Sequence, residues 1–313
     1  MVLYLRMIDL HTHSNFSDGD LSPQDLVNEA AKEGLRAIAL ADHDTIKGLD
    51  TAGKTAAGMT DIQSDINGKF HFIPGIEINI NWTKDKAARG APGIGPGGEF
   101  HLLGLGLKSP TPGFIAAVDR LTRNREARNR EILERMIEQS LIDPSDRESV
   151  WEELSAISGG NSLGRPHFAA LMVKRKISKN VNQAFNRYLA AGKPLYAPKE
   201  GLVFEEAAAL IRESGGIAVL AHPLSLYIAW GRLPDMIKTL KNLGLMGVEA
   251  WHPIAKHSSC RRLEALAKSL NLYVTEGSDY HGAFRPDSRL GYSNKNRKIS
   301  DAVLEAIPEL AEF

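Results

Sequence analysis

Short apolar runs recur along the chain, and a His, Asp or Glu lies at or near one end of each. Seven runs have β-strand character: VLYLRMIDL, AIALA, FHFIPGIEI, FHLLGLGL, GIAVLA, GLMGVEAW and LYVTEGS. Apolar segments of this length, bounded by turn residues, are typical of buried strands. The pattern therefore predicts seven strands whose ends carry polar side chains.

Helical patterns lie between several of these runs. Ser22, Pro23 and Asp25 form a capped helix start, and Gly34 ends that helix. Further helices are predicted at 204–214, 234–243 and 258–270. Alternating strands and helices favour β–α units and a parallel sheet. Because polar residues end so many strands, a barrel explains the pattern better than an open doubly wound sheet, which gathers its site at one crevice.

The middle of the chain interrupts this alternation. Helices are predicted at 113–141, 146–157, 166–176 and 180–191, and the Gly/Pro-rich segment 84–98 is predicted to be a mobile loop. The resulting expectation is an α/β fold: a distorted seven-stranded (β/α)7 TIM-like barrel from 7–110 and 200–300. Residues 111–199 form an inserted helical cap subdomain, and 301–313 form a C-terminal helix or tail.

Composition limits the chemistry that this fold can carry. Among 313 residues, Lys plus Arg and Asp plus Glu both number 38, so no global basic field attracts a polyanion. Cys260 is the sole cysteine, which excludes an internal disulfide and a cysteine-based zinc site and favours a reducing compartment. The sequence shows no signal-peptide cleavage site and no run of about 18 apolar residues. We therefore expect a cytoplasmic protein without a membrane segment or an obligate protein partner.

A metal centre built from imidazoles and carboxylates is the strongest prediction. His11 and His13 lie two residues apart on a strand, so both point to the same side, and Asp279 and His281 repeat that spacing. The full candidate set is His11, His13, Asp18, His43, Glu77, His101, His222, Asp279 and His281. Nine ligands exceed the needs of one ion, so two or three divalent ions about 3.5–4 Å apart are expected. Manganese is the expected metal, and zinc or iron would also suit this donor set.

These residues lie in sequence blocks that resemble the polymerase and histidinol phosphatase (PHP) family. The blocks are DLHTHSNFSDG, ADHDT, GIE, HLLGL, AHP and GSDYHG, in the family's order. The resemblance implies a distorted seven-stranded barrel with three metals. His11, His13, Glu77 and Asp279 would surround the first, Glu77 would bridge to a second held by His101 and His222, and Asp18, His43 and His281 would hold the third. His71 is the alternative to His101, because the segment between Glu77 and His101 is long.

Within the family, the insertion and the sequences GRPHFA and YAPKEG are most similar to a branch of nucleotide phosphatases. The resemblance implies removal of the 3'-phosphate of nucleoside 3',5'-bisphosphates, or 5'-to-3' degradation of short 5'-phosphorylated RNA, with a metal-bound hydroxide as nucleophile. Neither a GxSxG elbow nor a Cys/His pair offers another nucleophile. The alternatives are a phosphatase of a small phosphomonoester such as histidinol phosphate, and a non-catalytic metal-binding module, although none of the nine ligands is missing.

Other residues are candidates for contact with substrate. Arg165, His167 and Lys199 are predicted to bind phosphate, and His252 either protonates the leaving group or is a hydrogen-bonded residue at the barrel rim. Trp251 is the tryptophan most worth testing for base stacking, although packing is the simpler interpretation. The arginine-rich segment 119–135 is interpreted as a solvated helix with Glu/Arg pairs three or four apart, in preference to an RNA-guiding surface.

Overall fold

The central feature of the computed structural model is a curled sheet. The model describes residues 6–59, 70–81, 98–158, 163–294 and 296–313. The strands of the sheet are β1 (Met7–Thr12), β2 (Leu35–Leu40), β3 (His71–Asn81), β4 (His101–Leu105), β5 (Leu202–Val203), β6 (Ile217–Leu220), β7 (Gly247–Trp251) and β8 (Tyr273–Glu276). Seven follow the order β1-β2-β3-β4-β6-β7-β8, and the two-residue β5 pairs with β3. A separate hairpin joins β9 (Tyr292–Asn294) and β10 (Arg297–Lys298).

The two edges of the curled sheet meet at one end. A parallel bridge joins Thr12, at the end of β1, to Tyr280, just after β8. The His13 amide donates to the Tyr280 carbonyl at 2.9 Å. The sheet is therefore nearly closed into a barrel, which confirms the predicted architecture of seven strands in an α/β fold.

One strand differs from the all-parallel sheet that the sequence predicted. β4 runs antiparallel to both β3 and β6, whereas the other neighbours along the seven-strand path are parallel. A reversed strand places its first residue where parallel strands have their last. This is why His101, which begins β4, lies at the same edge as the residues that follow the other strands.

Helices flank the sheet and fill the interruption between β4 and β5. They are α1 (Pro23–Lys32), α2 (Leu49–Gly58), α3 (Pro112–Glu138), α4 (Arg147–Ile157), α5 (Arg165–Lys174), α6 (Val181–Ala184), α7 (Phe204–Glu213), α8 (Leu233–Asn242), α9 (His257–Ser269) and α10 (Ala302–Glu305). Short helical turns cover Pro144–Asp146, Phe185–Leu189, Pro223–Leu226 and Gly282–Phe284. At α1 the Ser22 hydroxyl accepts from the Asp25 amide at 3.1 Å, which confirms the predicted cap. The sequence did not predict α2. Only Ala52 and Ala56 of this helix are buried, so its apolar stripe is weak.

The helices of the insertion have their own apolar cluster. Ile132 and Met136 of α3, Leu154 of α4 and Phe168 of α5 are fully buried against one another. This separate cluster supports the predicted cap, and its boundaries at 111 and 199 remain a prediction. The predicted loop at 84–98 lies outside the described residues except for Gly98. Among the described helices, none combines the length and apolarity needed to cross a bilayer.

The C-terminal residues close the end of the barrel opposite the Thr12–Tyr280 bridge. Ile307 and Leu310 are fully buried in a cluster with Ile8, Leu105 and Ile217 of the strands. Close-packed interiors tolerate cavities poorly, because the lost contacts are not replaced by water. The segment after α10 is therefore part of the barrel core.

We expect Ile307→Ala to lower the free energy of unfolding by about 2–5 kcal/mol, because Ile307 is completely buried. The matched control is Ile115→Ala in α3, whose side chain is 45% exposed and should change stability by less than about 0.5 kcal/mol. Urea denaturation followed by circular dichroism measures both. Equal values for the two variants would contradict the packing of this segment.

Candidate metal centre

The nine residues predicted to bind metal all lie at the end of the barrel where β1 and β8 meet. The set is His11, His13, Asp18, His43, Glu77, His101, His222, Asp279 and His281, and every member is buried. Most lie at or just after the end of a strand, Glu77 lies within β3, and His101 begins β4. The fold thus brings together residues up to 270 positions apart, as the strand-end pattern predicted.

Glu77 is the centre of this cluster. Its Oε1 lies 2.9 Å from His101 Nδ1 and 2.8 Å from His222 Nε2. Its Oε2 lies 3.3 Å from the Nε2 atoms of His11 and His13 and 3.0 Å from His43 Nδ1. One carboxylate therefore faces five imidazoles, which is the arrangement expected of a bridging ligand.

The donor atoms fit a cluster of cations. Four overlapping groups have ligand atoms within 4.8 Å of one another: His13, Asp18, His43 and His281; His11, His13 and Asp279; His43, Glu77 and His101; His11, Glu249 and His252. Several inward-facing atoms find no hydrogen-bond partner among the described residues, namely His11 Nε2, His13 Nε2, Asp18 Oδ1, His43 Nδ1 and Glu77 Oε2. Each such buried atom costs about 1–3 kcal/mol unless something satisfies it. Divalent ions would do so, and ligation by these residues remains a prediction that metal analysis tests.

The protonation states of several donors suit cation binding, with His11 as the exception: burial lowers its pKa, but the Glu249 and Glu77 carboxylates raise it to about 10, so a metal would displace a proton there. Burial lowers the pKa of His13 and of His43 well below the usual histidine value, which keeps both imidazoles neutral at pH 7. Burial alone would raise the pKa of Glu77, but the surrounding histidines, first His43 and then His101, hold it well below its usual range. Neutral imidazoles and ionised carboxylates are the forms that bind metals.

The backbone is unusual at three residues of the site. His222, Asp279 and Asp44 have positive φ angles of 26°, 51° and 55°. Non-glycine residues rarely adopt such angles, and those that do concentrate at functional sites where surrounding structure compensates the cost. At Asp279 the compensation includes two donors to Oδ2: His252 Nε2 at 3.1 Å and the Arg285 guanidinium.

Glu249 is a residue that the predicted ligand set missed. Its Oε1 accepts from His11 Nδ1 at 2.9 Å, and its Oε2 accepts from the His222 amide at 2.7 Å. Carboxylates that hold the far nitrogen of a metal-binding histidine fix the orientation of its ring. The signal was an acid inside the apolar run GLMGVEAW, because a buried carboxylate needs buried partners.

His252, the tentative proton donor, lines the cavity above the cluster. Its Nδ1 accepts from the Ile254 amide at 3.1 Å, so the proton lies on Nε2, which donates to Asp279. The ring is thus engaged on both sides. This geometry favours the hydrogen-bonded rim residue, and it assigns His252 to orienting Asp279.

The choice between His101 and His71 follows from their places in the sheet. His71 begins β3, six residues before Glu77, and its ring contacts the Phe313 carbonyl at the opposite end of the barrel. The structure therefore brings His101 to Glu77 and leaves His71 away from the cluster.

A cavity of about 690 Å³ opens above the cluster and contains a second group of charges. Of its five cations, Arg285 contacts Asp279, and the other four, Arg125, Arg128, Arg165 and Lys199, are what we call the cation cluster. The guanidinium of Arg165 contacts the Glu99 carboxylate, and Lys199 Nζ lies 3.6 Å from it. Lys199 Nζ also donates to His101 Nε2 at 3.3 Å, so the cation cluster begins directly beside the candidate metal ligands.

Two members of the cation cluster correct the interpretation of 119–135 as a fully solvated helix. Arg125 and Arg128 of α3 are only 7% and 5% exposed. Arg125 pairs with Asp44 at 2.7 Å, and burial lowers the pKa of Arg128 to about 9. The exposed pairs Arg130–Glu126 and Arg135–Glu131 do follow the predicted spacing. The interpretation as a solvated helix fails for one face of α3, because that face packs towards the cavity.

His167 and Trp251 do not lie where contact with substrate would require. His167 is 1% exposed, and its Nδ1 accepts from the Gly164 amide at 2.9 Å, which caps α5. Trp251 is 3% exposed and donates to Glu264 at 2.9 Å. The structure therefore gives His167 a capping role at α5 and offers no support for its predicted contact with phosphate, and Trp251 is a packing residue.

Comparison with known proteins identifies the class of this chain. The family model described as "PHP domain" matches residues 9–194, and the chain belongs to that family. The predicted family is thereby confirmed. Family membership, together with relatives named as exoribonuclease and phosphatase, defines a hydrolase of phosphate esters, and the buried cluster of histidines and carboxylates is its candidate metal centre.

Individual relatives cover almost the whole chain. The 5'-3' exoribonuclease of Haemophilus influenzae is 31% identical over 87% of this chain and 89% of the relative. The 3',5'-nucleoside bisphosphate phosphatase of Chromobacterium violaceum is 26% identical over 88% and 87%. A solved structure from Chromobacterium violaceum, described as an amidohydrolase with bound sulfate and no metal, is 26% identical with a TM-score of 0.74 over 88% of each chain.

We expect Glu249→Ala to reduce metal affinity about 10- to 100-fold, because His11 loses the carboxylate that orients its ring. Titration of the stripped protein with Mn²⁺, followed by calorimetry, measures the change. Glu213→Ala, at an exposed position of α7, is the control and should bind like the unchanged protein. Unaltered affinity in Glu249→Ala would contradict the positioning role.

Proposed function

We propose that this phosphoesterase acts on nucleotides that carry two phosphate groups. It would remove the 3'-phosphate of nucleoside 3',5'-bisphosphates or release nucleotides from the 5' end of 5'-phosphorylated RNA. The observation that carries the proposal is the proximity of the cation cluster to the candidate metal centre within one cavity. One site can hold the phosphate that reacts, and the other can hold a phosphate that is retained.

The candidate metal centre would supply the chemistry. His11, His13, Glu77 and Asp279 would hold one ion, Glu77 with His101 and His222 a second, and Asp18, His43 and His281 a third. When bound, such ions lower the pKa of water towards neutrality and neutralise charge on a phosphoryl group. Glu249 and His252 would keep His11 and Asp279 in place. Manganese is our proposed metal, and mixed imidazole and carboxylate donors also accept zinc and iron.

The cation cluster would recognise the retained phosphate. Arg125 and Arg128 line the cavity, and their Nε atoms find no hydrogen-bond partner among the described residues. Arginine suits phosphate because its planar group donates two parallel hydrogen bonds. The sulfate in the solved relative from Chromobacterium violaceum supports binding of tetrahedral anions in this fold. The four cations of the cation cluster have no evident use for a small phosphomonoester, so histidinol phosphate is the less favoured substrate.

The choice between a mononucleotide and RNA depends on the surface outside the cavity. The exposed arginines of α3 are largely paired, as in Arg120–Glu206 at 2.6 Å and Arg135–Glu131 at 2.6 Å. Paired charges release few counterions, so a steep dependence of cleavage on salt is not expected from this face. These pairs favour a mononucleotide or a short RNA over a long RNA held along α3. The single, buried cysteine and a nucleotide substrate favour action in the cytoplasm.

We expect the Mn²⁺-loaded protein to release phosphate or nucleotide faster from adenosine 3',5'-bisphosphate or 5'-phosphorylated oligoribonucleotide than from histidinol phosphate. His11→Ala and Asp279→Ala should each abolish turnover and reduce bound metal, measured by elemental analysis. Preference for histidinol phosphate would overturn the proposed substrate. Full activity in either variant would contradict the metal centre.

We expect Arg128→Met to lower kcat/KM for adenosine 3',5'-bisphosphate about 10- to 100-fold, the loss expected for one or two charge-assisted hydrogen bonds. Hydrolysis of adenosine 3'-phosphate, which lacks the second phosphate, should change little. Methionine preserves volume, and Arg123→Met on the exposed face of α3 is the matched control. A similar loss for both substrates would assign Arg128 a structural role.

A further inference from the structure

The cavity contains an anion of the chain itself, held by two members of the cation cluster. Glu99 lies two residues before β4 at the cavity wall. Its carboxylate contacts the Arg165 guanidinium and lies 3.6 Å from Lys199 Nζ. A carboxylate and a phosphate present similar oxygen acceptors to arginine and lysine. Glu99 therefore occupies donors that a phosphate group would need.

The side chain of Glu99 is more exposed than those of its partners. It is 48% exposed, whereas Arg165 and Lys199 are 15% and 20% exposed. The main chain is fixed, since the Ser225 hydroxyl donates to the Glu99 carbonyl at 3.1 Å and the next residue, Phe100, is buried. The carboxylate can therefore turn into solvent without moving the backbone. Arg165 and Lys199 are more buried and would stay in place.

The balance of charge indicates what would replace Glu99. Four cations of the cation cluster face two carboxylates, Asp44 and Glu99. Asp44 is buried with Arg125, whereas Glu99 is half exposed. An incoming dianion would thus displace Glu99 and leave the Arg125–Asp44 pair intact.

We propose that Glu99 is an internal counter-ion that competes with phosphate for Arg165 and Lys199. The role of this competition in the reaction rests on the proposed function. The product of bisphosphate hydrolysis keeps a phosphate on the cation cluster, and Glu99 promotes release of the product by binding Arg165 and Lys199 again. A substrate gains additional binding energy at the metal centre through its reacting phosphate. The product and free anions do not have this second point of binding, so competition from Glu99 lowers their affinity most.

The test is a calorimetric titration of the metal-loaded protein with inorganic sulfate, which cannot be hydrolysed. Glu99→Gln keeps the shape and removes the charge. We expect it to bind sulfate roughly tenfold more tightly than the unchanged protein, a difference of about 1.4 kcal/mol. Glu99→Asp, whose carboxylate is withdrawn by one methylene, should gain less. Glu126→Gln, which removes the exposed partner of Arg130, is the matched control and should not change the affinity.

A double variant shows whether sulfate binds at the cation cluster or at the metal centre. The gain caused by Glu99→Gln should disappear in the presence of Arg128→Met, because only anions at the cation cluster depend on Arg128. Adenosine 5'-phosphate should inhibit Glu99→Gln more strongly than the unchanged enzyme, whereas adenosine should not distinguish them. A gain that survives Arg128→Met would place the sulfate elsewhere and overturn the inference.

Equal or weaker sulfate affinity in Glu99→Gln and Glu99→Asp, with unchanged thermal unfolding, would also overturn it. The sulfate titration needs no turnover, so it is independent of the proposed function. If no nucleotide is hydrolysed, the proposed function fails while the competition at the cation cluster can still be measured. If nucleotides are hydrolysed and sulfate affinity is unaltered, only the role of Glu99 fails.

Discussion

The structure depends on the close packing of buried carboxylates and imidazoles around Glu77. An ionised carboxylate in a barrel interior costs several kcal/mol unless charges or donors surround it. Five imidazoles within 3.3 Å of its two oxygens provide that environment. These side chains lie on or just after β1, β2, β3 and β6 and at the start of β4, so these parts of the sheet must lie at one level. The curvature and near closure of the sheet meet that requirement.

Further buried carboxylates hold the loops that carry the ligands. Asp42 accepts from the Ser14 amide at 2.8 Å and from the Ser17 hydroxyl at 2.6 Å, which fixes the segment leading to Asp18. Asp9 accepts from the Ser278 amide at 3.0 Å and thereby ties β1 to the residue before Asp279. The candidate metal centre is therefore supported by hydrogen bonds to backbone groups, which restrict its geometry before any ion binds.

The clustering of these residues could be predicted from the sequence because its main signal is local. Two residues on a strand share a face when they are two positions apart, so the pairing of His11 with His13 required no knowledge of the fold. The direction of β4 could not be predicted in the same way, since it depends on which strands become neighbours. Arg125 and Arg128 were misinterpreted for a similar reason: acids three or four residues away made α3 resemble a solvated helix. Glu249 could be noticed in the sequence as an acid inside an apolar run, but its partners, His11 and the His222 amide, could not be predicted.

The reversal of β4 determines what kind of connection precedes it. A β–α unit returns the chain to the far end of the barrel before the next strand begins, and its helix covers the outside. Here β3 ends at Asn81 and β4 begins at His101, both at the level of the site. Asn81 and His101 therefore both lie beside the cavity, and Glu99, two residues before His101, lines it. A residue that precedes a strand can thus line the cavity, a place that parallel strands leave to the residues that follow them.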